Sequence, residues 1–589
     1  MRSFVILTLC NVAAASFDYI VVGGGTAGLV IANRLTENPS IRVAVIEPGD
    51  DQRQNHNVTD PTKLDQPLNT PLDWQYKSVP QVYAQDRILN LPQGKAWGGS
   101  SAINGMTYIR GDASLYDSWE KLGNPGWNWA SIFPYFKKSE QYTTPNGEQI
   151  SAGATYEPQN HGRKGPVHVG YPPTLGKNDF TPAVRETWKH FGLEVNEDLN
   201  GGEVRGFAIG PQTLDAKTNV RWDSARAYYS PAEGRRNLEI LKGTVRRVVW
   251  KKRGKKGEDV VADGVEYLDK DGKLKTLKAR REVILSTGTI RSPLILEASG
   301  IGNQGFLRSL GITPIIDLPG VGENLIEQSG SMLAYLGATN GTGSAVHAFV
   351  TADDLFGKKE ATKFAAETKK NIPKYAATIA AKSYGGALKA KNIEKVLRAQ
   401  HEFLFNGNNE KQVAFAELLT VSPPSSGIVA SQFWILFPFS RGSVHLTSAY
   451  LADINFPLFD PRLFLADVDV KASIALGQLV QSFWSTEPAS SIALTSILPG
   501  ETILPAEATP EQWRSYLLSQ GNLEAHSLGS AAMMARELGG VVDSELRVYG
   551  TKNVRVVDAS VLPTQISGHL TAIVYAVAEK AADIIKKSR

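Results

Sequence analysis

Gly23, Gly25 and Gly28 stand in a G-x-G-x-x-G arrangement directly after the β-branched and aromatic run Phe17-Asp18-Tyr19-Ile20-Val21-Val22. That spacing suits a phosphate site. Gly23 makes the tight turn, Gly25 lets the backbone approach a pyrophosphate, and Gly28 lets helix and strand pack closely. The apolar helix pattern that follows, with Leu29, Val30, Ala32 and Leu35, offers its free N–H groups and the positive end of its dipole to the phosphates. A second strand, Val43-Ala44-Val45-Ile46, ends at Glu47, whose carboxylate is placed to accept hydrogen bonds from ribose hydroxyls and would repel a 2′-phosphate. The fingerprint alone leaves NAD and FAD both open.

Two further segments bear on that choice. Gly94-Lys95-Ala96-Trp97-Gly98-Gly99-Ser100-Ser101-Ala102-Ile103-Asn104-Gly105-Met106 is a Gly/Ser-rich loop running into an apolar stretch. Its many N–H donors and open backbone suit a flat or anionic ligand of any kind. The strand Glu282-Val283-Ile284-Leu285-Ser286 leads into Gly288-Thr289-Ile290-Arg291-Ser292-Pro293 and on to Gly300-Ile301-Gly302. This predicts a strand, a tight turn, and a helix with Pro293 in its first turn and Gly300 at its end.

With these three segments in this order, the chain resembles the glucose–methanol–choline (GMC) oxidoreductases from Phe17 to about Ile585. It is most similar to the fungal flavin-dependent glucose dehydrogenases and glucose oxidases, and less so to aryl-alcohol oxidases. Asp73-Trp74-Gln75-Tyr76, Gly126-Trp127-Asn128-Trp129 and Arg547-Val548-Tyr549-Gly550 carry that closeness. The resemblance implies FAD as cofactor. It places nucleotide contacts at Thr26, Ala27 and Glu47, flavin-loop contacts at Ser100, Asn104, Gly105 and Thr107, and a backbone contact to adenine at Val245. Asp558 and Ala559, after a strand and before the last helix, are expected to meet the flavin through their backbone, and Thr571 completes the set. Some relatives attach the flavin through a histidine in the loop; Ile103 stands there, so non-covalent FAD is expected.

The same resemblance makes His526, in Glu524-Ala525-His526-Ser527, the catalytic base, with His569 its partner. Oxidising an alcohol requires removal of the hydroxyl proton together with hydride transfer to the flavin. A neutral imidazole suits the first task, and a second donor steadies the oxygen. His445 has no such support and reads as a strand residue. Arg547 and Val548 match positions near oxygen access in the relatives, and strand and turn packing accounts for them equally well.

Two departures bear on substrate. Glucose-specific relatives carry Arg and Asn four and two residues before the first catalytic histidine; here these are Asn522 and Glu524. That exchange changes charge and bonding capacity at a site built to discriminate hydroxyls, which disfavours glucose. Glu417 matches a sugar-site acid of the dehydrogenases, so Glu417, Asn522 and Glu524 are the expected substrate contacts. Ser527 replaces a frequent proline and with it the backbone restraint that proline supplies.

The expectation is FAD-dependent oxidation of a non-glucose primary or secondary alcohol, a secondary metabolite being one class, with electrons passing to oxygen or a quinone. The alternative is a non-redox lyase or cyclase on the same FAD-containing scaffold. No metal site is expected.

The elements that must position these residues form an α/β protein (α+β overall). A discontinuous Rossmann-like FAD-binding domain is expected over 16–110, 222–325 and 540–589. A substrate domain is expected over 111–221 and 326–539, with a mostly antiparallel sheet that includes Gln432-Phe433-Trp434-Ile435 and Val444-His445-Leu446. Helices from Ala345–Gln412 would lie over that sheet, with a role at the cavity mouth left open. At 589 residues and 42% hydrophobic the chain supports two packed domains and no fibrous or membrane class. A net charge of +4, with Lys251–Lys256 as the densest basic run, gives no nucleic-acid signal. The first 15 residues read as a secretory signal too short to span a bilayer. The single cysteine, Cys10, lies inside it. Asn57-Val58-Thr59 and Asn340-Gly341-Thr342 are potential glycan acceptors, a secretory-pathway location is expected, and the molecule is a monomer or homodimer.

Overall fold

The computed structural model describes residues 17–252, 257–339, 345–386, 388–405, 412–423, 426–449 and 457–588. The proposed signal segment with Cys10, the Asn340 sequon and positions 253–256 of the basic run lie outside the described residues. Asn57 is exposed at the protein surface.

Five segments build a parallel sheet. Phe17–Val22 sits centrally, flanked by Val43–Glu47 on one side and the second half of Leu274–Leu285 on the other. Leu238–Trp250 extends the sheet beyond Val43–Glu47, and Val554–Val556 closes the far edge. Every residue of Phe17–Val22 and Val43–Glu47 is buried, as a parallel sheet covered on both faces requires. Leu238–Trp250 and Leu274–Leu285 outrun the parallel part and join Ala262–Asp269 in an antiparallel meander. Helix Thr26–Leu35 lies against helix Leu570–Lys587, and Arg34 pairs with the buried Glu579 at 2.7 Å.

Helix Gly288–Ala298 begins at the glycine of the expected tight turn, so Pro293 falls in its interior and not in its first turn. The ring cannot donate to the Thr289 carbonyl one turn back. The Ser530 hydroxyl does so instead, at 2.6 Å.

The second sheet is antiparallel throughout, in the order Ala493–Leu498, Ser329–Gly337, Ile428–Ile435, Ala416–Val421, Val346–Val350 and Gly206–Ile209. The short strand Asn522–Leu523 pairs beside Ser329 and Gly330. Gln432–Ile435 lies in this sheet as expected. Val444–Leu446 does not: Ser443–His445 forms its own two-stranded ladder with Leu458–Asp460. The reason is electrostatic. His445 is buried between two acids, its Nδ1 2.6 Å from Glu297 Oε1 and its Nε2 3.3 Å from Glu323 Oε1, which fastens this strand to helix Gly288–Ala298. Helices Lys358–Lys382 and Ala390–Phe405 pack together, and none of their described residues lines the large cavity described below.

Burial alone would depress the His445 pKa, but the Glu297 and Glu323 carboxylates raise it to about 9. A raised histidine stabilises the fold fully below its unfolded value near 6.5, and that contribution is lost as pH rises through 9. Melting temperature is therefore expected to fall between pH 6.5 and 9 in the wild type. His445→Gln should cost about 3 kcal/mol of stability at neutral pH, by stranding two buried acids, and should flatten that fall. Thermal melts across this range check both.

Candidate active site

A cavity of ≈ 500 Å³ lies where the two sheets meet. Gly23, Gly25, Thr26, Ala27, Glu47, Ser100, Asn104, Gly105, Thr107, Val245, Asp558, Ala559 and Thr571 all line it, together with His526, His569 and Glu524. These residues come from segments scattered over most of the chain.

The nucleotide end is built by close backbone approach. Gly23 takes φ +98, and a Cβ on it would lie 2.5 Å from the Ser286 carbonyl oxygen. A Cβ on Gly28 would meet the Gly23 carbonyl oxygen at 2.0 Å, so Gly28 acts in packing behind the cavity and not on its wall. No side chain caps helix Thr26–Leu35 at Gly25, which leaves its first-turn N–H groups to a ligand. Glu47 accepts from the Gly24 amide at 2.8 Å and from the Gly49 amide at 2.7 Å. One oxygen is used in each, so lone pairs remain for hydroxyls. Burial pushes its pKa up.

The loop Gly94–Met106 is pinned by Arg221, whose Nη1 donates to the Asn104 carbonyl at 2.6 Å and to Oδ1 at 2.9 Å. Asn104 Nδ2 donates to Thr571 Oγ1 at 2.9 Å, joining the loop to the last helix. Ile103 packs with Val58, Ala96 and Ala102, and its aliphatic side chain offers no nucleophile. The Asp558 carboxylate accepts from the Gly288 amide at 2.9 Å and the Ser292 hydroxyl at 2.6 Å. Its side chain is thereby engaged at a helix start.

His526 and His569 face each other edge to face, with ring centroids 5.1 Å apart. The protonation pattern of His526 follows from its neighbour. Gln328 Nε2 donates to the Leu436 carbonyl at 2.9 Å, which turns its amide oxygen toward His526 Nδ1 at 2.7 Å. Nδ1 therefore carries the proton and Nε2 carries the lone pair. Burial, reinforced by His569, lowers the His526 pKa to about 3, against the opposing pull of Glu417. The ring is neutral.

His569 Nε2 lies 3.0 Å from Glu417 Oε1, and His347 Nδ1 lies 2.8 Å from the same oxygen. Full burial would raise the Glu417 pKa, but the His569 charge and the two imidazole hydrogen bonds bring it to about 2. These three residues bring ligand atoms within 4.8 Å of one another, at separations that N–H···O bonds account for. Glu417 thus differs from its expected substrate contact. It stands behind His569, fully buried and off the cavity wall.

Asn522 also departs from expectation. Its side chain is exposed, 3.5 Å from Arg87, and does not line the cavity. Glu524 does line it. Its Oε2 accepts from Gln432 Nε2 at 2.7 Å, and burial, with Glu327 and Glu417 adding to it, pushes its pKa up to about 8 despite that bond. Gly330 makes the room, since a Cβ there would lie 1.4 Å from Glu524 Oε1. Gly330→Ala is expected to expel the Glu524 side chain and cost about 2 kcal/mol in overpacking. Urea unfolding of the two proteins measures this, and equal midpoints would contradict it.

Ser527 does not loosen the histidine. Its hydroxyl donates to Glu327, whose Oε1 also accepts the His526 and Gln328 amides at 3.0 Å each. Burial pushes the Glu327 pKa up to about 7 against these donors. A hydrogen-bonded knot holds the backbone where relatives use a ring. Arg547 pairs with Glu545 at 2.7 Å, Val548 is fully buried, and neither lines the cavity.

The family model for GMC oxidoreductases matches residues 17–329, and its C-terminal companion matches 438–578. The chain belongs to the GMC oxidoreductase family. It is an FAD-dependent oxidoreductase. The glucose oxidase-like protein fsoC of Humicola fuscoatra is 54% identical over 575 residues, covering 98% of this chain and 96% of that protein. The glucose oxidase of Aspergillus carbonarius is 34% identical over 585 residues, covering 98% and 93%. Among solved structures, an FAD-dependent oxidoreductase from Chaetomium thermophilum superposes with TM-score 0.85 at 28% identity, covering 97% of this chain and 99% of that one. A fungal aryl-alcohol oxidase gives 0.84 at 27%, with the same coverage. No helix among the described residues is long and apolar enough to cross a membrane.

In this GMC oxidoreductase the cavity fits FAD on its own terms. It has an uncapped helix start for the pyrophosphate, Glu47 for the ribose, and the buried Ser286 hydroxyl lining it without a hydrogen-bond partner among the described residues. The sequence reading missed Gln328, Glu327, His347 and Trp434. The Trp434 ring lies 6.2 Å from His526 and 6.1 Å from His569. No local motif marks any of the four.

Proposed function

We propose that this chain oxidises a non-glucose primary or secondary alcohol to the carbonyl. The observation that carries the reading is a neutral His526, its Nε2 left unprotonated by the Gln328 bond to Nδ1, beside His569 in the FAD cavity. Bound FAD supplies the hydride acceptor and passes the electrons to oxygen or a quinone-type acceptor. His526 Nε2 takes the hydroxyl proton, and the Glu417 carboxylate stabilises the charge that forms on the ring. His569, oriented through its Nε2 by Glu417, stands beside the reacting oxygen. Trp434 walls the pair and limits water.

The substrate reading rests on Asn522 pointing away and on Glu524 lining the cavity with a raised pKa. A carboxyl group in place of an amide alters which hydroxyls the site can bind. The relatives' names point toward both sugars and aryl alcohols. Secretion with removal of the first 15 residues, and glycosylation at Asn57, belong to the same reading.

A panel of sugars, benzylic alcohols, furanic alcohols and polyketide-type alcohols tests it. A non-sugar alcohol is expected to exceed glucose in kcat/KM by at least about tenfold, the discrimination that mismatched polar partners produce. Glucose as the best substrate would overturn the assignment. Repeating the best case with oxygen and with a quinone identifies the acceptor.

A further inference from the structure

A second cavity of ≈ 540 Å³ shares a wall with the first. Val245 of strand Leu238–Trp250 lines the flavin cavity, and the next residue, Arg246, lines this one. The ladder slips at this point: Val245 pairs with Tyr267 and Arg247 with Glu266. Arg246 is the extra residue of a β-bulge, a device that re-aims a side chain.

Arg246 is only 4% exposed. Its Nε and Nη2 are buried and have no hydrogen-bond partner among the described residues. The nearby polar groups are already engaged. Glu266 is held by Arg247 through two bonds of 3.1 Å. The Ser299 hydroxyl donates to the Ile295 carbonyl and accepts the Val248 amide, and its carbonyl accepts Trp250 Nε1. The end of helix Gly288–Ala298 contributes about half a negative charge at most, short of a counter-ion. Burial lowers the Arg246 pKa only to about 10, with Glu266 opposing and Arg247 assisting, so the group is a cation at neutral pH.

The two orphaned atoms form one edge of the guanidinium. The same edge grips a carboxylate elsewhere in this molecule. Arg205 uses Nε and Nη2 on Asp354 at 2.8 and 2.6 Å, and Arg555 uses them on Glu282 at 2.7 and 3.2 Å. At Arg246 the edge is present and no carboxylate among the described residues meets it. Val248, Leu274, Ile312 and Leu446 form an apolar part of the cavity wall, beside Arg247, Glu266, Thr313 and Ser448.

We propose that this second cavity binds a small organic carboxylate, its two oxygens on Nε and Nη2 of Arg246 and its apolar body against Val248, Leu274, Ile312 and Leu446. An uncompensated buried charge destabilises a fold, so a residue kept there for a ligand opposes stability until the ligand arrives.

The test is thermal melting of the FAD-loaded protein with benzoate as the probe, at constant ionic strength against chloride and inorganic phosphate. Saturating benzoate is expected to raise the wild-type melting temperature by about 2 °C, with phosphate giving less than half of that. Arg246→Met is expected to melt above the wild type in chloride and to gain nothing from benzoate. Calorimetric titration of the wild type is expected to give one benzoate per chain. Arg246→Lys, which keeps the charge and loses the fork, should weaken that binding about tenfold. No rise in the wild type, or an equal rise in Arg246→Met, overturns the proposal. So does a lower melting temperature for Arg246→Met in chloride, which would make the arginine structural. Benzoate that perturbs the flavin absorbance equally in both proteins occupies the first cavity, and that also overturns it.

Discussion

Replacing His526 by alanine is expected to slow anaerobic flavin reduction by about 10³-fold, within the range a positioned general base contributes, while FAD stays bound. The separation of these effects follows from the structure. The His526 side chain bonds Gln328 and faces the cavity, whereas the loop that carries it is held by its backbone amide on Glu327 and by Ser527. Removing the ring leaves that knot intact. Because burial holds the ring neutral, with a pKa lowered to about 3, the base form is present throughout the working range. The reduction rate should therefore show no loss on the acid side down to about pH 5. Stopped-flow reduction of both proteins from pH 5 to 8 measures this. Near-normal reduction in His526→Ala would remove the residue from the role of base.

Glu417→Gln should be nearly as severe, for a different reason. Glu417 touches no substrate-facing surface, but its Oε1 bonds both His569 and His347. The amide keeps the shape and can keep both bonds through its oxygen, but it loses the charge and puts an N–H at the buried Oε2 position, which has no partner among the described residues. A loss of about 10²-fold in reduction rate is expected, as for other groups that orient a catalytic imidazole. About 3 kcal/mol of stability should go with it, because a buried ionic cluster loses one partner. The pH dependence has a definite sign. The Glu417 pKa is depressed to about 2 in the fold, so its stabilisation is complete above the unfolded value near 4.5 and is lost as pH falls toward 2. The variant should lack that part of the acid sensitivity. Acid titration of far-UV circular dichroism in the two proteins checks this, and coincident curves would contradict the ion-pair account.

Glu417 and Asn522 also mark where the sequence stopped being readable. The glycine fingerprint is local. Gly23 and Gly28 are forced by backbone contacts within six residues and one neighbouring strand, so spacing alone exposes them. Glu417 was found by position and given the wrong neighbour. Its side chain crosses diagonally to His347 on the paired strand Val346–Val350, and strand register cannot be read from either segment alone. Asn522 and Glu524, two residues apart, would share a face in a continuous strand. The strand ends at Leu523 and Ala525 takes φ +58, so the two side chains part. Gln328, which sets the His526 tautomer, is 198 residues away from it in the chain. Its role belongs to tertiary contact and leaves no local trace. The interior position of Pro293 is similar, since the hydroxyl that compensates for it comes from Ser530.

The central claim is redox turnover with His526 as base, set against a lyase or cyclase that holds FAD without using it. Anaerobic mixing of the FAD-loaded protein with an alcohol it converts tests this most directly. The flavin absorbance should bleach in step with formation of one carbonyl product per flavin. Conversion of that alcohol with the flavin oxidised throughout would contradict the account.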